Sequence, residues 1–333
     1  MISRRLLAAT LALTTALVTG CGSADSGEGA VRADGSVDLS KVTLRIGDQK
    51  GTGTQALLEA AGELKDIPYR IEWSQYTSGP PMLEAINAGA VDIGGVGNAP
   101  PVFAAAAGSE IKIVSAYQVG TVGQAIVVPR DSPLRSPNDL RGKKIAVSKG
   151  SSAHHHLLAV LTGAGLTFAD IEPQYLQPAD ALAALTTGRV DAWAIWDPFT
   201  AQAQKQAEAR ILVDGKGYVQ GDAFYVAGDK ALGGTAASTA LRDLLDRIKR
   251  AHSWVNGNTE TWARTFAQLT GLPYDVALLA VSREPYLDHP IDDTTIAAEQ
   301  RVADGFADAG LIPKRVTITD FVDTRFNDLY PIA

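Results

Sequence analysis

The feature that most constrains the fold is an alternation of strand-like and helix-like segments that occurs twice along the chain. Strands separated by amphipathic helices predict a mostly parallel sheet with helices on both faces, because parallel strands need long crossover connections. The first series has strands predicted at residues 42–47, 69–73, 91–95 and 111–116, and the second at 144–147, 174–176, 190–195 and 211–213.

Two extended segments, at residues 124–128 and 223–228, join the two series. We therefore expect an α/β protein of two lobes, each a mostly parallel sheet flanked by helices, with two crossover strands and a helical C-terminal region. The boundaries predicted are 41–121 with 229–333 for lobe 1, and 122–228 for lobe 2. The C-terminal helices, at 241–255, 259–269, 274–281, 295–309 and 318–329, are expected to pack on lobe 1. A cleft between lobes is a frequent site for small ligands.

The N-terminal segment has the pattern of an export signal. Arg4 and Arg5 precede an apolar stretch over residues 6–17, and small residues lead to Cys21, the only cysteine. This describes a signal peptide over residues 1–20, because the apolar part is too short to span a membrane. The junction resembles the lipobox of bacterial lipoproteins, which implies lipidation of Cys21 and a stable membrane anchor. An ordinary signal peptide with an incidental cysteine is the alternative.

Residues 21–40 are small, polar and acidic, and predict a flexible linker between the anchor and a folded domain. The remaining length is sufficient for two domains, and 46% hydrophobic residues describe a globular protein. A net charge of −7 argues against nucleic-acid binding, which needs clustered cations. We expect an exported monomer tethered to the outer face of the cell membrane, or a periplasmic one.

Four turns between a predicted strand and a predicted helix are glycine-rich or polar. They lie at residues 49–53, 77–79, 95–98 and 149–152. Glycine allows close backbone approach, and a helix N-terminus offers unpaired N–H groups with partial positive charge. Several such ends facing one cleft would form an anion site. Alternatively, Ser78, Asn98 and Ser151 or Ser152 cap only their own helices.

Candidate ligand-binding residues follow from these turns and from the strand ends. They are Gln49, Gly51, Thr52, Ser78, Gly79, Asn98, Gln124, Ser151, Ser152, His154, Trp196, Asp197 and Tyr225. Tyr76 and Tyr117 also fall at strand ends, and a carboxylate such as Asp48 or Asp197 near the cleft would suit an amine-bearing ligand.

Several catalytic and cofactor motifs are absent from the sequence. There is no GxxxxGK[ST] run and no GxSxG elbow, and Gly51-Thr52-Gly53 lacks the third glycine of a dinucleotide fingerprint. The residues His154, His155 and His156 are consecutive, so on a helix they point about 100° apart and cannot face one ion. His252 and His289 have no obvious partner in the sequence. We expect no cofactor, no metal and no enzymatic activity.

Four segments, at residues 45–51, 76–108, 123–161 and 191–199, together resemble the solute-binding proteins of aliphatic sulfonate ABC importers. The combination contains SGP-x-x-LEA-x-NAG at residues 78–89, KGSSAH at 149–154 and WDPF at 196–199, in matching order and spacing. The resemblance runs from about residue 42 to 213, and Asp48 and Asn98 depart from residues common in that group. It implies a periplasmic-binding type II fold whose lobes close like a hinge and deliver ligand to a permease.

The resemblance implies a small anionic organic ligand, a sulfonate first of all, and an ABC permease and ATPase as partners in sulfur supply. Relatives in the wider superfamily bind taurine, nitrate or pyrimidine precursors, and a sulfate ester is a further alternative. A branch that makes a pyrimidine uses a cysteine- and histidine-rich site, for which this chain has no cysteine beyond the signal. A sensor or adhesion lipoprotein with the same fold is a further alternative.

Overall fold

The computed structural model describes residues 29–49, 53–283 and 285–330, and it contains two β-sheets within that range. The strands are β1 Thr43–Gln49, β2 Arg70–Tyr76, β3 Ile93–Gly97, β4 Ile111–Gln118, β5 Ala125–Val128, β6 Lys144–Val147, β7 Glu172–Tyr175, β8 Ala192–Ile195, β9 Arg210–Asp214, β10 Asp222–Gly228 and β11 Leu287–His289.

Helices flank both sheets. They are α1 Thr54–Ala60, α2 Gly79–Asn87, α3 Ala99–Ala107, α4 Ser152–Gly163, α5 Pro178–Thr186, α6 Phe199–Gln206, α7 Asp229–Gly233, α8 Thr235–Gly257, α9 Thr259–Thr270, α10 Tyr274–Val281 and α11 Asp293–Asp308. Among the described residues no helix combines the length and apolar character needed to cross a bilayer.

The strand order is β11-β4-β10-β3-β1-β2 in the first sheet and β7-β6-β8-β5-β9 in the second. In the first sheet β1, β2, β3 and β4 share one direction, while β10 pairs antiparallel with both β3 and β4. In the second sheet only β5 runs against its neighbours. The short β11 also pairs antiparallel with β4. The reversed strands β5 and β10 come from the two extended segments, so the α/β fold with crossover strands is confirmed.

Small residues in the first sheet bring α2 close to its strands. A Cβ at Gly47 or at Gly94 would lie only 2.6 Å from the sulfur of Met82, which is fully buried on α2. Real Cβ atoms do not approach that closely, so glycine is required on both strands at this contact. The close packing fixes where the N-terminus of α2 lies relative to the end of β3.

A shared apolar core joins the two sheets through α11. Val102 and Phe103 of α3, Leu158 of α4 and Phe306 of α11 belong to one cluster, in which Phe306 is fully buried. Helix α10 likewise packs against α6, which flanks the second sheet. The C-terminal helices therefore contact both sheets, whereas we expected them to pack on lobe 1 alone. The reason is that α11 and α10 carry apolar residues on faces that meet α4 and α6.

Two sequence-based boundaries are displaced. Strand β10 pairs with β3 and β4, so residues 222–228 belong to the first sheet, whereas the prediction placed them in lobe 2. The predicted linker over 21–40 also extends too far, because Ala30 is fully buried and Val37 and Leu39 pack against the core of the first sheet. The N-terminal part of that linker and the signal peptide with Cys21 lie outside the described residues.

The helix predicted at 318–329 is wrong. The segment forms two short 3-10 turns, Ile318–Phe321 and Asn327–Leu329, and Val322 bridges to Ile113 of β4. Several β-branched residues in this stretch disfavour a continuous helix, so pairing with the sheet prevails. Strand β11 and helix α7 were not predicted, since both are short.

Candidate functional site: a cavity between the two sheets

A partly open cavity of about 80 Å³ lies between the two sheets. The helix starts that line it come from both sides, with Gly79 and Asn98 from the first sheet's helices and Ser151 and Ser152 from α4 of the second. Gln49, Gln124, Trp196, Asp197 and Tyr225 also line it. Nine predicted site residues therefore meet at one crevice.

The starts of α2 and α3 leave backbone donors uncapped. Neither Ser78 before α2 nor Asn98 before α3 makes a side-chain cap hydrogen bond, and each helix begins with one residue followed by two prolines. Because proline has no N–H, the donors in each first turn are few and lie at the first and fourth positions. The first donor of α2, at Gly79, lies on the cavity wall, and the first donor of α3, at Ala99, directly follows the lining residue Asn98.

Ser151 and Ser152, at the start of α4, have different environments. The Ser151 hydroxyl donates to the carbonyl of Ser148 at 2.7 Å and accepts from the backbone N–H of His154 at 3.3 Å. Ser151 is thus the N-cap of α4, as the alternative interpretation predicted. Ser152 faces Gly97 so closely that a Cβ on Gly97 would lie 2.8 Å from the Ser152 Cβ.

The side-chain amides of Gln49 and Gln124 donate hydrogen bonds to backbone carbonyls around the cavity. Gln49 Nε2 donates to the carbonyl of Gly95 at 2.7 Å, and Gln124 Nε2 donates to the carbonyl of Ser152 at 2.7 Å. The Tyr225 hydroxyl lies 3.2 Å from the Thr54 hydroxyl and is buried. These three side chains hold the strand ends and helix starts in place around the cavity.

Three groups of polar contacts near the cavity join the two sides of the cleft. Ser78 is fully buried and its hydroxyl donates to Gln177 Oε1, 2.9 Å away at the start of α5. Asn98 Nδ2 donates to His155 Nδ1 at 2.9 Å, while Asn98 Oδ1 is buried without a partner among the described residues. Ser78 does not itself line the cavity.

The third group involves Asp197. Its Oδ1 accepts from the backbone N–H of Ala201 at 2.8 Å, and its Oδ2 lies 3.4 Å from Arg283 Nη1. Burial raises the pKa of Asp197, and the neighbouring Arg283 opposes that rise. Both carboxylate oxygens therefore have protein partners.

Asp48 lies outside the cavity, along a wider groove of about 1050 Å³ that also includes Tyr76 and Gln177. Its Oδ1 accepts from the backbone N–H of Thr54 at 2.8 Å, so it caps the start of α1. Burial raises the pKa of Asp48 to about 6. The carboxylate thus occupies the N-terminus of α1, which explains why an acidic residue precedes this helix.

His154 does not line the cavity. It is buried against the aromatic rings of Phe103, Phe168, Tyr175 and Phe306, and its Nδ1 accepts from the backbone N–H of Gly150 at 3.1 Å. Burial lowers its pKa to about 3. The sequence placed His154 in the first turn of α4 correctly, but at that position the side chain turns toward α11.

The neighbouring histidines have partners of their own. His155 contacts Asn98 as described, and His156 Nε2 lies 3.0 Å from the carbonyl oxygen of Asp214. The three rings therefore diverge, as the helical geometry predicted. Gly51 and Thr52, also predicted to bind ligand, lie outside the described residues.

The sequence prediction missed three residues of the cavity wall beside Tyr117. They are His252 of α8, Tyr286 just before β11, and Asp222 at the start of β10. His252, for which no partner was evident, has its Nδ1 2.8 Å from Asp288 Oδ1. The two residues are far apart in sequence, and a pattern based on strand-to-helix turns cannot find them.

The family model described as NMT1/THI5 like matches residues 71–257. Over 287 residues, the chain is 38% identical to a protein of Escherichia coli (strain K12) named as an aliphatic sulfonates-binding protein, covering 85% of this chain and 89% of that protein.

Solved structures agree with the sequence comparison. The alkanesulfonate-binding protein from Xanthomonas axonopodis pv. citri, bound to MOPS, is 37% identical with a TM-score of 0.79, covering 84% of this chain and 98% of that one. The periplasmic aliphatic sulphonate binding protein from Escherichia coli is also 37% identical, with a TM-score of 0.74 and coverage of 84% and 97%. The relatives named here are binding proteins.

Proposed function

Since the chain belongs to the NMT1/THI5-like family, we propose that it is the extracytoplasmic solute-binding protein of an ABC importer and captures aliphatic sulfonates. The observation that carries this proposal is the convergence of helix starts from both sheets, at Gly79, Asn98 and Ser152, on one cavity. Two aligned sets of backbone donors suit an anion that both sides share.

A sulfonate matches the chemistry of the lining residues. No lysine or arginine is among the described residues that line the cavity, whereas backbone N–H groups and hydroxyls are present. A sulfonate is a permanent anion, so neutral donors can bind it without any proton transfer. Trp196, Tyr225 and Val219 provide apolar surface for its carbon chain.

The size of the cavity favours a short chain. One water occupies about 10–15 Å³ of such space, so 80 Å³ corresponds to about five to eight non-hydrogen atoms. A sulfonate of two or three carbons has that size.

Delivery follows from hinge closure. Ligand contacts from both sheets favour the closed arrangement, as in periplasmic binding proteins generally. The closed protein would then dock on a permease whose ATPase drives import. We also propose that Cys21 is lipidated and tethers the protein to the outer face of the membrane, and that the protein acts as a monomer.

Titration calorimetry with a ligand panel tests the assignment. We expect ethanesulfonate or propanesulfonate to bind with micromolar affinity or better, and taurine, nitrate, sulfate and a thiamine pyrimidine to bind at least about tenfold more weakly. Preference for one of those other ligands would reassign the cargo within the same fold. Absence of binding to every sulfonate would refute the proposal.

The lipid anchor needs a separate experiment. A bacterial host expressing the full chain and supplied with labelled palmitate should label the wild-type protein, and Cys21→Ser should abolish both the label and its recovery with membranes. Equal labelling of the two proteins would contradict the anchor without affecting the ligand assignment.

A further inference from the structure

His252 is a buried histidine at the aromatic wall of the cavity. Its ring is 1% exposed and stacks on Tyr286 with centroids 4.3 Å apart and planes inclined by 14°. Tyr117 lies 4.8 Å from it and Tyr225 6.4 Å, both measured between ring centroids. All four residues line the cavity.

Asp288 determines which nitrogen of the His252 imidazole carries the hydrogen. Its Oδ1 lies 2.8 Å from His252 Nδ1, and an ionised carboxylate can only accept, so Nδ1 carries the hydrogen. In the neutral ring the other nitrogen, Nε2, then has a free lone pair. Asp288 does not line the cavity, so the ring edge opposite Asp288 is the edge that can meet a ligand.

Nε2 has no partner within the described part of the chain, although it is buried. A buried polar atom that lacks a hydrogen bond is costly and needs an explanation. A ligand atom is the partner that this arrangement leaves open.

His252 lies away from the helix starts to which we assign the anion. Tyr225 beside it pairs with Gly95, two residues before β3 ends at Gly97 and leads to the start of α3. The aromatic wall therefore lies further back along the strand than the helix starts. A lone pair would also repel the oxygens of a sulfonate, so His252 is suited to the other end of the ligand.

We propose that His252 Nε2 accepts a hydrogen bond from a hydroxyl group on the carbon chain of the ligand, which makes hydroxyl-bearing sulfonates the preferred class. This inference rests on the proposed function. His252 is the specificity residue, and Asp288 is a positioning residue that acts through it.

Calorimetry with a matched ligand pair tests this preference in the wild-type protein. Ethanesulfonate and hydroxyethanesulfonate differ only by the hydroxyl, and we expect the second to bind about tenfold more tightly, the effect of about one hydrogen bond. Histidine-selective nitrogen NMR should show a shift of the His252 Nε2 signal with hydroxyethanesulfonate and not with ethanesulfonate. Equal affinities for the two ligands would overturn the inference.

A double variant assigns the preference to the residue. His252→Phe with Asp288→Asn keeps a planar ring against Tyr286 and avoids leaving a buried carboxylate unpaired. Once its thermal unfolding shows a folded protein, it should bind both ligands with the affinity that the wild type has for ethanesulfonate. A preference that persists in the folded variant would overturn the role of His252. If neither ligand binds the wild type, the proposed function itself fails.

Discussion

At the scale of single residues, Ser151 and Ser152 form a matched pair of variants. Ser152→Ala removes a hydroxyl that lines the cavity and that we assign to the anion, so sulfonate affinity should fall by about 1.5–3 kcal/mol. Ser151→Ala removes the N-cap of α4 and should instead lower the free energy of unfolding by about 0.5–2 kcal/mol.

Calorimetry and chemical denaturation of both variants separate the two roles. The expected result is loss of affinity without loss of stability for Ser152→Ala, and mainly loss of stability for Ser151→Ala. Unchanged affinity in Ser152→Ala would mean that this hydroxyl does not contact the ligand.

The sequence located those cavity residues whose position depends only on the neighbouring residues in the chain. Glycine and serine between a strand and a helix mark a helix N-terminus, and parallel strands place such ends on one edge, so Gly79, Asn98 and Ser152 were found. The pairing of His252 with Asp288 depends on how α8 packs beside β11, which no local pattern reports. The prediction that His154 lines the cavity was wrong because its ring packs against Phe306, which is distant in sequence.

At the scale of elements, the end of β3 and the start of α4 are in close van der Waals contact. A Cβ at Gly97 would lie 2.8 Å from that of Ser152, so Gly97→Ala forces the two elements apart. Overpacking of this kind costs about 1–3 kcal/mol, and here it acts on the contact between β3 and α4 beside the cavity. We expect ligand affinity, measured by calorimetry, to fall about tenfold or more.

Gly305→Ala is the control for that variant. Gly305 lies in α11 at the contact with α4, and a Cβ there would meet only Leu158 at 3.8 Å, an ordinary distance. It should leave affinity unchanged and slightly stabilise the helix. If Gly97→Ala bound ligand as tightly as Gly305→Ala, close approach of β3 and α4 would not be needed for binding.

The sequence predicted the order of strands and helices more completely than it predicted how the helices pack. The hydrophobic pattern identified every described strand except the short β11, including both crossover segments, because strand period and helix period differ. It could not show that α10 and α11 contact the second sheet's helices, since an apolar helix face does not specify its partner. It also assigned β10 to the wrong lobe, because an extended strand can add to either sheet.

At the scale of the whole molecule, buried histidines make stability depend on pH. Burial lowers the pKa of His154 to about 3 from an ordinary value of 6.5. Between those values the unfolded chain binds a proton that the folded protein does not, so stability falls as pH falls below about 6.5. From pH 7 to pH 5 this histidine should remove about 2 kcal/mol from the free energy of unfolding.

Chemical denaturation at the two pH values, with His154→Phe as the comparison, measures this contribution. The variant should lose about 2 kcal/mol less on acidification than the wild type. The lost contact with Gly150 is an offset that does not depend on pH. Buried Asp48, whose pKa is raised, has the opposite pH dependence but is present in both proteins. An identical pH dependence in the two proteins would contradict a neutral buried His154.

The whole account depends on helix starts from two sheets sharing one anion, and a crystal structure with ethanesulfonate tests this most directly. We predict the sulfonate oxygens within hydrogen-bonding distance of the backbone N–H groups of Gly79 and Ala99 and of the Ser152 hydroxyl, with the carbon chain toward Tyr225. A sulfonate found instead in the outer groove beside Asp48, or contacting only one of the two sheets, would contradict it.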